Sequence, residues 1–134
     1  MIYLGIGSNL GDKEGNVNKA IELIGKRVGT VMARSSFYYS APQGFQSPND
    51  FVNVVVGCKT TLSPKELLLM TQQIEKDLGR KLKSHDGHYH DRIIDIDILL
   101  YDDVRIDTPE LKIPHPLMQT RDFVMIPLKE VFAG

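Results

Sequence analysis

The sequence is poor in cysteine, in tryptophan and in net charge: it has one Cys, no Trp and a formal charge of -1. A single cysteine cannot form a disulfide within the chain, so we expect a reducing, cytoplasmic environment. Balanced charges argue against a basic scaffold for nucleic acid, and no apolar run is long enough for a signal peptide or a membrane span. We therefore expect neither a nucleic acid nor a membrane as partner.

The 134 residues are enough for one compact domain, which we expect to cover residues 1–134. With 42% hydrophobic and 25% charged residues, such a chain can bury its own core without a disulfide or a structural metal. Cys58 falls on the valine-rich face of a predicted strand, where a small buried hydrophobe is more typical than a nucleophile. The composition leaves both a monomer and a homodimer open.

Hydrophobic periodicity predicts alternating strands and helices. Apolar residues at helical spacing indicate helices over residues 13–27 and from 64 to about 78. The second helix begins at Ser63-Pro64-Lys65-Glu66, which has the residue types of a capping box. Alternating or β-branched segments predict strands at residues 2–7, 30–40, 51–60 and 93–101.

The order of these elements predicts the fold class. Strand, helix, strand, strand, helix, strand is the order of an α+β, ferredoxin-like βαββαβ sandwich with a largely antiparallel sheet. The residues beyond the last strand, including a predicted short helix after Arg121, then form a C-terminal appendage.

Two acids in the last predicted strand are the most informative pair. Asp95 and Asp97 are two residues apart, so both carboxylates project from one face of the strand. The apolar residues that alternate with them are predicted on the other face: Ile94, Ile96, Ile98 and Leu100. Two neighbouring carboxylates suit Mg²⁺, which completes its shell with water and phosphate oxygens. The alternative is an antiparallel strand with one face in water, where acids need no special role.

Cationic side chains surround this pair along the sequence. They are Arg80, Lys81, Lys83, Arg92, His115 and Arg121. Acids for a metal together with several cations are the combination that phosphoryl transfer requires, because the metal bridges phosphate oxygens and arginine stabilises the spread charge. Each arginine alone is more often a surface residue.

Two further motifs leave alternatives open. The segment from Gly5 to Gly11 is either a phosphate-binding loop between a strand and a helix or a tight turn, and it lacks the spacing and the lysine of a P-loop. His85, His88 and His90 are conceivable zinc ligands, but without a cysteine partner a solvated loop is the more common interpretation.

Phe51 and Asn53 indicate a pocket. They share one face of the predicted strand at 51–60, opposite the stripe of Val52, Val54, Val56 and Cys58. An aromatic wall beside an amide is suited to binding a flat heterocycle and hydrogen bonding to its edge.

Five motifs, taken in order, resemble those of the 6-hydroxymethyl-7,8-dihydropterin pyrophosphokinases of folate biosynthesis. They are Gly7-Ser8-Asn9-Leu10-Gly11, Phe51-Val52-Asn53, Arg92 with Asp95 to Tyr101, Ile113-Pro114-His115-Pro116, and Arg121-Asp122-Phe123. The resemblance extends from Tyr3 to about Leu128. It implies transfer of the pyrophosphoryl group of ATP to the hydroxymethyl oxygen of the pterin, with release of AMP.

The resemblance also implies roles for individual residues. Asp95 and Asp97 are expected to hold two Mg²⁺, while Arg80 and Arg92 contact the transferring phosphates. The ATP side is expected to comprise Gln72, Glu75, the backbone of Ile98, His115 and Arg121. The pterin side is expected to comprise Phe51 and Phe123 around the ring, Asn53 at its edge, and the backbone near Ser40, Ala41 and Pro42. The small-molecule partners are then the pterin and MgATP.

The chain departs from the family ahead of the acidic strand. Where relatives usually carry Trp-Gly-Pro-Arg, it has Tyr89-His90-Asp91-Arg92, and Leu82 stands where a second arginine is common. Lys81 or Lys83 is a candidate replacement for that arginine. Two alternatives to the family's activity are another Mg²⁺-dependent nucleotide transferase or hydrolase, and a non-catalytic ferredoxin-like module that binds a ligand.

Overall fold

Strands and helices alternate along the chain in the computed structural model, which describes residues 1–41, 50–79 and 93–132. In chain order the elements are β1 (Ile2–Ser8), α1 (Lys13–Arg27), β2 (Gly29–Arg34), β3 (Tyr38–Ser40), β4 (Phe51–Thr60), α2 (Pro64–Asp77), β5 (Asp95–Tyr101), β6 (Ile106–Asp107), β7 (Lys112–Ile113) and α3 (Asp122–Val131). A short 3-10 turn over Met118–Thr120 precedes α3.

The main sheet is antiparallel, with the strand order β2-β4-β1-β5 and with β3 also paired to β4. The first and third long strands, β1 and β4, are therefore central neighbours, as the ferredoxin-like order requires. A second, two-stranded sheet is formed by β6 and β7. The predicted α+β class is confirmed.

Both predicted long helices begin with side-chain caps. Asp12 accepts a hydrogen bond from the amide of Gly15 at 3.1 Å and caps α1. At α2, the Ser63 hydroxyl accepts from the Glu66 amide while the Glu66 carboxylate accepts from the Ser63 amide, so the predicted capping box is confirmed. Across the described ranges, no helix is long and apolar enough to cross a membrane.

The larger hydrophobic core lies between one face of the sheet and helices α1 and α2. The sheet contributes Ile2, Leu4, Ile6, Val52, Val54, Val56, Cys58, Ile94, Ile96 and Ile98. The helices contribute Val17, Ala20, Ile24, Leu67 and Ile74. Each large side chain buried in this way stabilises the fold by about 1.5–3 kcal/mol, which anchors the strands that carry Asn53 and Asp97.

The opposite face of the sheet is covered by α3, so the predicted C-terminal appendage is a third layer. A second core joins Tyr3, Val55, Leu99, Met118, Val124, Leu128 and Val131. Glu130 ties the helix to the sheet because its carboxylate accepts hydrogen bonds from the amide and the hydroxyl of Ser36, at 2.9 and 2.7 Å. The side chains on this face, Asn53 among them, therefore lie on the same side of the sheet as α3.

The strand predicted at 30–40 is interrupted. β2 ends at Arg34 and β3 begins at Tyr38. Between them, Ser35 exchanges hydrogen bonds with Val55: its amide donates to the Val55 carbonyl at 2.9 Å, and its hydroxyl accepts from the Val55 amide at 3.0 Å. Because a side chain takes over one bond of the ladder here, the regular strand is broken at this point.

Leu100 lies on the face opposite to the predicted one. Tyr3 pairs with Leu100 but Leu4 pairs with Ile98, so Leu99 is an extra residue in β5, a β-bulge. A bulge reverses the alternation of side chains beyond it. Leu99 and Leu100 consequently both belong to the α3-side core, whereas Tyr101 packs against the larger core.

Candidate active site

The two predicted acids lie opposite two glycines. In the pairing of β1 with β5, Asp95 faces Gly7 and Asp97 faces Gly5, and both acids are half-buried. Gly5 and Gly7 are therefore inside β1, as the strand predicted at residues 2–7 requires, and a turn begins only after Ser8. Since glycine has no side chain, the strand beside the carboxylates leaves a shallow floor on the α3 side of the sheet.

Directly paired residues form a row across three strands, from Asp95 on β5 through Gly7 on β1 to Asn53 on β4. Gly7 pairs with Asp95 on one side and with Asn53 on the other. A Cβ atom built at Gly7 would lie 2.9 Å from Oδ1 of Asn53 and 3.6 Å from Cδ1 of Phe51. Phe51 and Asn53 therefore share a face of β4, as predicted, and both approach the glycine that separates them from the acids.

The Asn53 side chain is buried and held from β3. Its Nδ2 donates to the Ser40 hydroxyl at 2.9 Å and, at 3.5 Å, to the carbonyl of Tyr38. Ser40 is half-buried, and Ala41 is exposed at the end of the described segment. The aromatic and amide pocket predicted from Phe51 and Asn53 thus has Ser40 on its β3 side.

The N-terminus of α3 carries Phe123. This ring is half-buried and packs against the α3-side core, on the same side of the sheet as Phe51 and Asn53. The Arg121 guanidinium lies 5.5 Å from the centre of the Phe123 ring, a cation–π contact. Arg121 therefore links the aromatic residue of α3 to the charged part of the site.

His115 connects the segment after β7 to the acidic strand. Its backbone amide donates to the carbonyl of Leu99 at 3.0 Å. Burial lowers the pKa of His115 and the nearby Arg121 lowers it further, whereas Asp95 acts in the opposite direction. The Leu117 amide donates to Nδ1 at 3.4 Å, so the neutral ring carries its proton on Nε2 and can donate a hydrogen bond there.

A cavity of about 270 Å³ runs along the outer edge of β5. It is lined by Leu68, Ile96, Asp97, Ile98, Pro109, Glu110, Leu111, Lys112, His115 and Pro116. The amide of Ile96 points away from β1, to the outer edge of β5, where it donates to Glu75. Alternate residues of a strand direct their backbone groups to the same edge, so the amide and carbonyl of Ile98 also face the cavity side. Asp97 thus borders both the cavity and the face that carries Asn53.

Glu75 has a contact that the sequence did not predict. Its side chain is buried, and its Oε2 accepts a hydrogen bond from the amide of Ile96 at 2.8 Å. Gln72, half-buried one turn earlier, lies on the same helix, and Leu68 of that helix lines the cavity. A signal was present in the sequence, because Glu75 follows Ile74 on the buried side of an amphipathic helix.

Several predicted residues lie outside the described ranges: Pro42, Arg80, Lys81, Lys83, His85, His88, His90 and Arg92. Within residues 1–41, 50–79 and 93–132, no three His, Cys, Asp or Glu side chains cluster as a metal site. The sequence did not predict the β6–β7 hairpin, whose turn and second strand supply four residues to the cavity. Thr108-Pro109 was the available signal for that turn.

Comparison with known proteins points to one family. The model of the 7,8-dihydro-6-hydroxymethylpterin-pyrophosphokinase family matches residues 3–133. The chain is 48% identical to the 2-amino-4-hydroxy-6-hydroxymethyldihydropteridine pyrophosphokinase of Porphyromonas gingivalis, over 98% of this chain and 90% of that protein. It is 44% identical to the pyrophosphokinase of Aquifex aeolicus, over 97% of this chain and 79% of that protein. For the pyrophosphokinase of Bacillus subtilis the values are 41%, 96% and 76%.

A solved structure supports the fold independently. A Plasmodium falciparum HPPK-DHPS triple mutant superposes with a TM-score of 0.77 at 15% identity, over 97% of this chain and 39% of that chain. At that identity the likeness concerns the fold alone. Together with the family match over residues 3–133 and the three bacterial relatives, it leads to one conclusion: the chain belongs to the 7,8-dihydro-6-hydroxymethylpterin-pyrophosphokinase family.

Proposed function

We propose that the site around Asp95 and Asp97 carries the activity of the family. The chain is an ATP-dependent pyrophosphokinase that transfers a pyrophosphoryl group from ATP to hydroxymethyldihydropterin in folate biosynthesis. The observation that supports the residue assignment is the row Asn53–Gly7–Asp95 across three paired strands. This row sets an amide pocket next to a carboxylate pair, as transfer between a heterocyclic alcohol and a metal-bound nucleotide requires.

The carboxylate pair fits magnesium. Mg²⁺ takes one or two protein carboxylates and fills its shell with water and phosphate oxygens, so it needs no larger cluster of protein ligands. We assign two Mg²⁺ to Asp95 and Asp97. Bound there, the ions supply positive charge that neutralises the triphosphate and favours attack on phosphorus.

The cavity along β5 is our candidate for the nucleotide. Leu68 and Leu111 give it apolar walls, and the outward backbone of Ile98 offers a donor and an acceptor for the edge of a base. His115 can donate from Nε2 to a phosphate oxygen, and Arg121 adds a permanent charge nearby. We place Gln72 on the nucleotide side as well, while the Glu75 carboxylate holds β5 by accepting a hydrogen bond from the amide of Ile96.

Two arginines complete the phosphate contacts in this proposal. Arg80 and Arg92 flank the segment before β5, and the family resemblance assigns them to the transferring phosphates. Guanidinium groups suit this role because their planar donors match phosphate oxygens and keep their charge at any working pH. Their contribution is to stabilise charge as the pyrophosphoryl group moves.

The pterin is assigned to the α3 side of the sheet. Phe51 and Phe123 present aromatic surfaces there, and Asn53 reads the edge of the ring. We assign the backbone of Ser40 and Ala41 to the same pocket and, from the family resemblance, that of Pro42. Held in this way, the hydroxymethyl oxygen can be aligned with the β-phosphorus while water is excluded, which accounts for the expected direct transfer.

We further propose that residues 1–134 act as one domain, since the family match runs from residue 3 to residue 133. Cys58 is a buried free thiol, which is in keeping with a cytoplasmic enzyme. MgATP and the pterin are its proposed partners, without nucleic acid or membrane.

Product analysis tests this function. The chain is incubated with ATP, Mg²⁺ and 6-hydroxymethyl-7,8-dihydropterin, and the nucleotides are separated. We expect AMP in equal amount to the pterin pyrophosphate, and no AMP when the pterin is left out. ADP or free pyrophosphate as the main product would favour another nucleotide transferase or hydrolase, and binding without turnover would favour a non-catalytic module.

A further inference from the structure

The orientation of the Asn53 side-chain amide is defined from both sides. Its nitrogen faces β3, where the Ser40 hydroxyl lies 2.9 Å away. Its oxygen faces β1, since Oδ1 is the atom nearest to a Cβ built at Gly7, at 2.9 Å. The amide therefore lies across β4 with its donor end on Ser40 and its acceptor end beside the glycine of the Asn53–Gly7–Asp95 row.

Neither of these two neighbours selects the orientation by itself. Oxygen and nitrogen of an amide have nearly the same size, so the space beside Gly7 would admit either. The Tyr38 carbonyl can only accept and lies 3.5 Å from Nδ2, so it selects the orientation, whereas the Ser40 hydroxyl, which can donate or accept, holds the amide in place at 2.9 Å. Asn53 is 7% exposed, so the amide exchanges little with water and depends on this partner.

We propose that the Ser40 side chain is a positioning group for substrate recognition, which rests on the proposed function: it holds the Asn53 amide in place, in the orientation that the Tyr38 carbonyl selects, with Oδ1 toward the ligand. The site then favours heterocycles that present an N–H or amino donor to this edge, as a 2-amino-4-oxo pyrimidine ring does. Ser40 acts through Asn53 in this proposal, and its hydroxyl is distinct in role from the backbone of residues 40–42.

A double-mutant cycle on pterin affinity tests this dependence. Kd for the hydroxymethylpterin is measured by fluorescence titration for the intact chain, Ser40→Ala, Asn53→Ala and the double variant. We expect Ser40→Ala to raise Kd about 3- to 10-fold, the worth of one lost hydrogen bond. In the Asn53→Ala background, the same change should alter Kd less than about 2-fold, because the group on which Ser40 acts is gone.

Two controls separate positioning from folding. Ser40→Thr keeps the hydroxyl and should restore Kd to within about 2-fold of the intact chain, and the Kd for MgATP should stay unchanged in all the variants. Equal effects of Ser40→Ala in both backgrounds, or an unchanged Kd in the single variant, would overturn the proposal. If Asn53→Ala itself leaves pterin binding intact, the proposed pterin site is wrong, whatever Ser40 does.

Discussion

The carboxylate of Glu75 in α2 accepts a hydrogen bond from the backbone amide of Ile96 in β5, at 2.8 Å. Ile96 lies between Asp95 and Asp97, and β5 stands at the end of the strand order, paired to β1 on one side. A helix side chain thus provides an acceptor where a neighbouring strand would otherwise do so. Glu75 ties the middle of the acidic segment to the larger core.

Glu75→Ala should therefore weaken both the fold and the nucleotide site. Removing the carboxylate leaves the buried Ile96 amide without this acceptor, a loss of about 1–3 kcal/mol in the free energy of unfolding. The Kd for MgATP should rise with it, because Asp97 follows Ile96 directly. Denaturant unfolding and titration with MgATP measure the two effects. Gln73→Ala, at an exposed position of the same helix, is the control and should stay within about 0.5 kcal/mol.

Asp97→Ala should abolish turnover and leave the fold intact. Asp97 is half-buried on the α3 side of the sheet and belongs to neither hydrophobic core. Its proposed work is to hold magnesium, so AMP formation should fall by at least about 10³-fold while the unfolding midpoint changes little. The matched control is Asp103→Ala, an exposed turn residue after β5. A near-normal rate in the Asp97 variant would contradict the metal assignment.

Gly7→Ala should damage pterin binding, whereas Gly5→Ala should be tolerated. A Cβ at Gly7 would lie 2.9 Å from Oδ1 of Asn53, closer than a carbon and an amide oxygen can approach without movement. At Gly5 the nearest atoms belong to Leu99 at 3.5 Å, an ordinary contact. Titration of both variants with the pterin compares them on one strand. Equal pterin affinities in the two variants would argue against a critical approach at Gly7.

Arg92→Ala should slow the chemical step far more than it weakens pterin binding. The proposed partner of Arg92 is phosphate, whereas the heterocycle is assigned to the pocket of Phe51, Asn53 and Phe123. Removing an arginine that stabilises transferring phosphate costs orders of magnitude in rate in related chemistry. Single-turnover kinetics beside pterin titration separates the two effects, and a similar loss in both would count against the assigned role.

Cys58 should be inert in the folded chain. Burial raises the pKa of its thiol to about 11, and its neighbours are the apolar residues of the larger core. Labelling by an aromatic disulfide reagent at pH 8 should therefore follow unfolding in a denaturant series. A native chain that labels at the rate of a small free thiol would contradict this burial.

The same shift predicts a pH dependence of stability. The unfolded thiol loses its proton near pH 8.5 while the folded thiol keeps it to about 11. The folded state thus binds more protons between these values, and the free energy of unfolding should fall as pH rises through that window. Cys58→Val should lack this part of the decline in denaturant melts at pH 8 and pH 10.

Local signals were sufficient to predict much of the site. The capping box at Ser63 and Glu66 involves residues three apart, so the sequence alone specifies it. The common faces of Phe51 with Asn53 and of Asp95 with Asp97 follow from the two-residue period of a strand, which needs no knowledge of the neighbours. These features are confirmed because each depends on residues close together in the chain.

Features that depend on pairing between distant segments were not predictable in this way. The bulge at Leu99 arises from a mismatch between β1 and β5 and leaves no mark in the composition of either strand. The strand predicted at residues 2–7 contains Gly5 and Gly7, but their place opposite the acids follows only from the register of β1 and β5. Glu75 is a polar residue on a buried face, and its partner Ile96 is 21 residues away.

The bulge divides β5 into two segments whose side chains alternate in opposite phase. Upstream of Leu99, the strand is in phase with the glycines of β1 and with the carboxylates. Downstream, the reversed phase directs Tyr101 toward the start of α2, where its hydroxyl donates to the carbonyl of Leu62 at 2.5 Å. Deleting Leu99 would restore the regular alternation, so Tyr101 would stay on the face of its partner and Asp95 and Asp97 would stay in register. The length of β5 after Ile98 can therefore change by one residue without shifting the carboxylates that we propose to hold magnesium.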